Sequence, residues 1–176
     1  MLKSIDFVAE NKILDFTVFK PTALASSQIL HKVSLKETLN ESEEIQYDKV
    51  KERFNKICHL AYTKKVKILV DAEESWIQDA IDHLVLNMMI KYNKEKPIVY
   101  NTSQMYRHDR LNYLKNLYRI SVDKKFYVGI KLVRGAYIEK ENKRAKRNNY
   151  LSPICKSKKL TDQNFNDGAS FILSNL

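Results

Sequence analysis

The sequence predicts an α/β fold, and three observations carry that reading. Four short runs rich in β-branched and aromatic residues each stop at a polar residue, segments of helical periodicity lie between them, and the runs recur at near-regular intervals. Short, continuously apolar strands belong in a parallel sheet covered on both faces. The polar strand ends fall at residues 20, 71, 101 and 131–134, giving spacings of 51, 30 and 30. About thirty residues make one strand–helix unit, and repeated units imply parallel strands joined by right-handed crossovers. Four such units amount to about the first half of a (β/α)8 TIM-type barrel, a fold that typically takes about 250 residues. This chain has 176.

The elements follow in order. Residues 13–19, Ile-Leu-Asp-Phe-Thr-Val-Phe, read as a strand stopped by Lys20-Pro21. Residues 21–65 hold a helix around 47–63 and an insertion, with Asn40 a turn candidate inside an acidic stretch. Residues 66–70 form a second strand ending at Asp71. The helix over 75–92 carries Trp76, Ile77, Ala80, Ile81, Leu84, Val85, Met88, Met89 and Tyr92 on one side, the stripe of an amphipathic helix covering a sheet. Glu73 and Glu74 sit at its first turn, where the helix dipole favours negative charge. Residues 97–100 are a third strand ending at Asn101, with a helix after Ser103. Residues 126–133 are a fourth strand, followed by a helix over 136–148 and a last one from Thr161-Asp162.

Composition narrows the function. Three glycines leave no room for a GxGxxG fingerprint or a P-loop. Cys58 and Cys155 lie too far apart in sequence for a CxxC knuckle, and His31, His59, His83 and His108 form no HExxH, so no metal site is expected. Nothing approaches a membrane span, and the first residues lack the apolar core of a signal peptide, which predicts a chain that is not exported. Net charge is +10. Residues 140–159 hold eight Lys/Arg against the single acid Glu141, a balance compatible with anionic ligands, anionic lipid or nucleic acid.

Barrel chemistry gathers at the C-terminal ends of the strands. The side chains delivered there are Lys20, Asp71, Asn101, Lys131 and Arg134, and three of these five are cationic, which suits a carboxylate or phosphate ligand.

Six collinear segments resemble the proline dehydrogenase family: Phe19-Lys20-Pro21-Thr22-Ala23-Leu24, Val70-Asp71-Ala72-Glu73-Glu74-Ser75, Tyr100 to Tyr106, Lys131 to Tyr137 with Glu139, Glu141 and Arg144-Ala145 beyond it, Ser152-Pro153-Ile154, and Thr161-Asp162 with Phe165-Asn166. The resemblance implies an FAD-dependent oxidoreductase that oxidises L-proline to Δ1-pyrroline-5-carboxylate in proline catabolism. Electrons would pass to a quinone or another membrane acceptor, and a pyrroline-5-carboxylate dehydrogenase would act next. It implies a cytoplasmic flavoprotein working at the surface of the inner membrane, with no nucleic-acid partner. Position by position, it makes Lys20 a contact of the substrate carboxylate, Asp71 an acid holding a substrate-side cation, and Tyr137 the aromatic packed on proline. It makes Asn101 a hydrogen-bonding partner of the flavin ring, Lys131 a cation near flavin N5, and Val133, Arg134 and Gly135 flavin-lining residues.

The family's second-half histidine motif and its late pair of carboxylate-clamping arginines find no match. Residues 1–176 are therefore expected to be a catalytic-domain fragment, without the preceding helical region or the second half of the barrel. The competing expectations are a noncatalytic remnant and a nucleic-acid-binding module gripping through residues 140–159.

Overall fold

The computed structural model describes residues 1–11 and 13–175. Strands β1 (Phe16–Phe19), β2 (Lys67–Val70), β3 (Val99–Gln104) and β4 (Ile130–Val133) form a single parallel sheet in chain order. Helix α1 (Leu2–Glu10) precedes it, α2 (Ser27–Ser34) and α3 (Glu41–Lys64) separate β1 from β2, α4 (Ser75–Tyr92) joins β2 to β3, α5 (Arg110–Lys124) joins β3 to β4, and α6 (Ile138–Arg147) and α7 (Lys158–Leu173) follow β4. This is the expected α/β arrangement of four parallel strands, consistent with a partial barrel.

Local chemistry sets several boundaries. Asn40 caps α3: its side chain accepts from the Glu43 N–H at 3.0 Å while Glu43 accepts from the Asn40 N–H at 3.0 Å, a reciprocal capping box. The turn candidate is thus a helix start, and the acidic residues after it meet the helix dipole. Helices α3 and α5 end on Lys65 and Lys125 in the left-handed region, φ 58° and 52°, a position usually given to glycine. Helix α4 has the bounds its apolar stripe predicts. Helix α5 begins later than expected, because β3 runs on through the polar residues to Gln104 and Met105 and Tyr106 are buried in the connection.

The two faces of the sheet differ. Ile68, Val70 and Val99 turn toward the helices and join Phe54, Ile57, Ile77, Ile81, Leu84 and Val85 in the main core, with Phe19 meeting Phe54 edge-on at 5.3 Å. The opposite, inner face carries Phe16, Val18, Leu69, Tyr100 and Gly129, by the alternation of side chains along each strand. A Cβ on Gly129 would stand 2.4 Å from the Val99 carbonyl oxygen and 2.9 Å from the Tyr100 ring, so no larger residue fits there. Phe16 and Val18 are exposed. Among the described residues no helix is long and apolar enough to cross a membrane.

Candidate active site

The C-terminal ends of the strands open into one cleft of about 170 Å³, lined by Lys20, Asp71, Ala72, Thr102, Gln104, Tyr106, Lys131, Val133, Gly135, Ala136 and Tyr137. Six of the residues singled out in the sequence meet there: Lys20, Asp71, Lys131, Val133, Gly135 and Tyr137. Lys131 Nζ, on β4, donates to Asp71 Oδ1, just past β2, at 2.6 Å, the pair bridging over the intervening strand β3. Lys20 Nζ donates to Tyr137 Oη at 3.3 Å and lies 5.9 Å from that ring's centroid. The Tyr137 oxygen is the main reason the Lys20 pKa is raised, its bond outweighing the small cost of burial. One of the three Lys20 donors is thereby used, and the ammonium is otherwise exposed.

Asn101 corrects the expectation for that residue. It is an interior residue of β3, fully buried on the helix side, and donates to Asp82 Oδ1 on α4 and Tyr113 Oη on α5, both at 2.8 Å. The physical reason is the length of β3. The apolar run stops at Tyr100, but the strand continues because its polar side chains find partners, Thr102 Oγ1 donating to the Val70 carbonyl at 2.9 Å. The true exit is Gln104, and period-two alternation from Tyr100 through Thr102 to Gln104 is the signal that reaches it.

Gln104 is buried beside the cleft. Its amide donates to the Glu73 carbonyl at 2.6 Å and to Tyr106 Oη at 2.8 Å. Burial pushes the Tyr106 phenol up to about 12, so it stays neutral behind the cleft. Arg134 also departs from expectation, because its guanidinium turns away from the cleft. It reaches Asp162 at 3.3 Å and stands 5.0 Å from the Phe165 ring centroid on α7. There it lines a separate cavity of about 520 Å³ with Lys156, Ser157 and Lys158, at the N-terminus of α7, where backbone N–H groups and the helix dipole favour anions. Gly135 is not forced by the chain itself, since a Cβ there would meet Ile138 at an ordinary 3.6 Å.

Much of the basic segment has structural employment. The Arg144 guanidinium lies 4.3 Å from the Trp76 ring centroid, and Lys140 pairs with Glu74. Together these contacts hold α6 against α4. Among the described residues no cluster of three or more metal-ligating side chains occurs.

A parallel sheet that gathers two lysines, an aspartate and a tyrosine in one cleft at its C-terminal edge is the arrangement of an α/β enzyme of the barrel type. The family model described as proline dehydrogenase matches residues 1–176. Mitochondrial proline dehydrogenase 1 of Dictyostelium discoideum is 42% identical over 132 residues, covering 72% of this chain and 23% of its own length. The carbapenem antibiotics biosynthesis protein CarD of Pectobacterium carotovorum is 32% identical over 171 residues, 97% of this chain and 44% of that one. Proline utilization A of Bdellovibrio bacteriovorus, solved after inactivation by N-propargylglycine, superposes with a TM-score of 0.82 at 19% identity, over 99% of this chain and 19% of that one. The chain belongs to the proline dehydrogenase family, whose members are generally flavoenzymes. It spans less than half the length of these relatives.

Proposed function

We propose that this chain forms the substrate- and flavin-facing part of a catalytic site that oxidises L-proline to Δ1-pyrroline-5-carboxylate with FAD as hydride acceptor. The observation that carries the reading is the convergence of Lys20, Asp71, Lys131 and Tyr137 on one cleft at the strand exits. Bound FAD would supply the hydride acceptor: the hydride would leave the ring CH2 carbon bonded to the proline nitrogen, and the proton left on that nitrogen would pass to solvent as the C=N bond forms.

The chain's own residues prepare that loss. Two lysines and one carboxylate line the cleft, so its formal charge is +1. A cationic cleft favours proline with a neutral amine and an ionised carboxylate, the form able to release a hydride. The two Lys20 donors not used by Tyr137 are free for that carboxylate, and Tyr137 offers a ring face to the pyrrolidine. Lys131, steered by Asp71, supplies positive charge where the flavin ring gains electron density. Val133 and Gly135 give the ring an apolar, low wall.

A cleft of about 170 Å³ is below the ~300 Å³ of whole-ligand pockets, so it suits the reacting end of a flavin. The neighbouring cavity at Arg134, Lys156 and the α7 N-terminus has the donor set for a diphosphate. Asn101 has no part in this reading, and Gln104 is the carboxamide at the cleft. Electrons would leave to a quinone or another membrane acceptor, and a pyrroline-5-carboxylate dehydrogenase would consume the product. The protein would then work in the cytoplasm at the inner-membrane surface.

In this proposal residues 1–176 are a portion of the catalytic domain, because β1 and β4 are open sheet edges and Phe16 and Val18 are exposed on the inner face. The test is flavin absorbance and proline-dependent dye reduction, with and without a polypeptide supplying further barrel strands. The chain alone should bind FAD weakly and reduce no dye, and completion should raise both. A yellow, active 176-residue monomer would overturn the half-site reading. A completed barrel that binds flavin but leaves proline unoxidised would overturn the activity.

A further inference from the structure

We propose that Glu73 is a positioning residue that sets where Lys20 and Gln104 stand in the cleft, a role that rests on the functional reading above. Every polar part of Glu73 is engaged with a different element. Its carboxylate accepts from the Thr22 N–H at 2.8 Å and from Thr22 Oγ1 at 2.7 Å. Its own N–H donates to Gln78 Oε1 in the first turn of α4 at 2.8 Å, and its carbonyl accepts from Gln104 Nε2 at 2.6 Å. One buried residue therefore ties together the exits of β1, β2 and β3.

The coupling to Lys20 is short and stiff. Pro21 restricts the residue before it to extended backbone, and Lys20 sits at φ −97°, ψ 131°. Fixing Thr22 one residue further on fixes the direction in which Lys20 leaves the sheet toward Tyr137. Both Thr22 bonds go to a charged acceptor, the stronger kind, and the buried carboxylate would be costly without them. Its charge also adds to the field that favours the Lys20 ammonium, after the larger contribution of Tyr137. The sequence points elsewhere, to a first-turn acid serving the α4 dipole. The helix instead caps at Glu74, leaving Glu73 free to reach across to β1.

Three variants test this on the chain as it is. Glu73→Ala removes the clamp, Glu73→Gln keeps its shape and two polar atoms without charge, and Thr22→Val removes only the hydroxyl. The readouts are hydrogen exchange at the Thr22 amide and the rate of Lys20 amine modification relative to exposed Lys49 and Lys115, mapped by mass spectrometry. Glu73→Ala should raise Thr22 exchange about tenfold or more, the effect of losing a hydrogen bond to a charged group, and speed Lys20 modification. Glu73→Gln should restore much of the Thr22 protection yet leave Lys20 modification elevated, a split that a purely structural role does not produce. Thr22→Val should fall between Glu73→Ala and the parent chain.

Wild-type exchange and wild-type Lys20 modification in Glu73→Ala would overturn the proposal. Should that variant also lose protection at Ile68 and Val99, the domain has melted and Thr22→Val decides. Unchanged Lys20 modification in that variant would then overturn the proposal as well. In a completed barrel that oxidises proline, Glu73→Gln should raise KM for proline more than it lowers kcat. The labelling arm reads the clamp even if no proline is oxidised, so failure of the clamp and failure of the activity are told apart.

Discussion

Two acid–base pairs flank the same sheet and live in opposite conditions. On the exit side, Asp71 and Lys131 meet at 2.6 Å with side chains 29% and 37% exposed. On the helix side, Asp82 and Arg110 meet at 2.8 Å with side chains 9% and 2% exposed. The dry pair is embedded: Asp82 also accepts from Gln78 and Asn101, and the Arg110 guanidinium stacks 3.7 Å from the Tyr113 ring centroid. Water can replace either partner of the wet pair, and so can a ligand, whereas neither partner of the dry pair can be replaced without leaving a buried charge. Similar chemistry thus serves a site on one face and the framework on the other.

The largest expected effect lies on the dry face. Asp82→Ala or Arg110→Ala should cost about 3–5 kcal/mol in urea unfolding, the usual result of stranding one buried charge. Two Arg110 nitrogens, Nε and one terminal NH2, already lack partners among the described residues, so this pair has no slack. Exchanging both residues for apolar ones of similar volume should recover most of the loss. If Asp82→Ala unfolds no more easily than the parent chain, the contrast between the faces is wrong.

The glycines sharpen the same contrast at a smaller scale. Gly129→Ala drives a methyl into the Val99 carbonyl and the Tyr100 ring and should cost about 1–3 kcal/mol, as overpacking does. Gly135→Ala meets only ordinary contact with Ile138 and should change stability by less than about 0.5 kcal/mol, its effect falling on flavin affinity. Equal losses of stability at both positions would remove the distinction between a framework glycine and a site glycine.

The same two faces explain what was legible in the sequence. Lys20 and Asp71 could be found because an apolar run ends where they stand, and Lys131 because it is a charged residue inside the apolar run of β4. Helix α4 could be bounded from its stripe because apolar residues recur along its packing face from Ile77 to Tyr92, with only Gln78 and Asp82 buried as polar exceptions. Asn101 misled because β3 is held by polar side chains whose partners, Asp82 and Tyr113, come from helices 19 and 12 residues away, and hydropathy has no signal for such pairings. Arg134 misled for a related reason: Asp162 and Phe165 on α7 draw it off the cleft, a choice made by tertiary contact alone.

On the wet face stability should barely move while function does. Asp71→Asn and Lys131→Met should each shift the urea midpoint by the equivalent of at most about 1 kcal/mol, as exposed ion pairs do. Flavin binding and proline oxidation in the completed barrel should fall far more. A stability loss matching that of Asp82→Ala would place the Asp71 pair in the framework and weaken its assignment to the site.

The smallest effect concerns Lys20, whose raised pKa comes first from the Tyr137 oxygen. A lysine whose folded-state pKa exceeds its unfolded value of 10.5 contributes stability fully below that value and loses it as pH climbs through the folded one. The difference in urea midpoint between the parent chain and Lys20→Met should therefore be small and flat from neutral pH to about 10 and vanish above the raised pKa. Because the ammonium is exposed, the plateau belongs at the weak end for surface interactions. A difference that grows with rising pH would mean that Lys20 is held by something other than a bond to its charged form. The contrast drawn between an available amine on the wet face and a committed guanidinium on the dry one would then fail at its most exposed point.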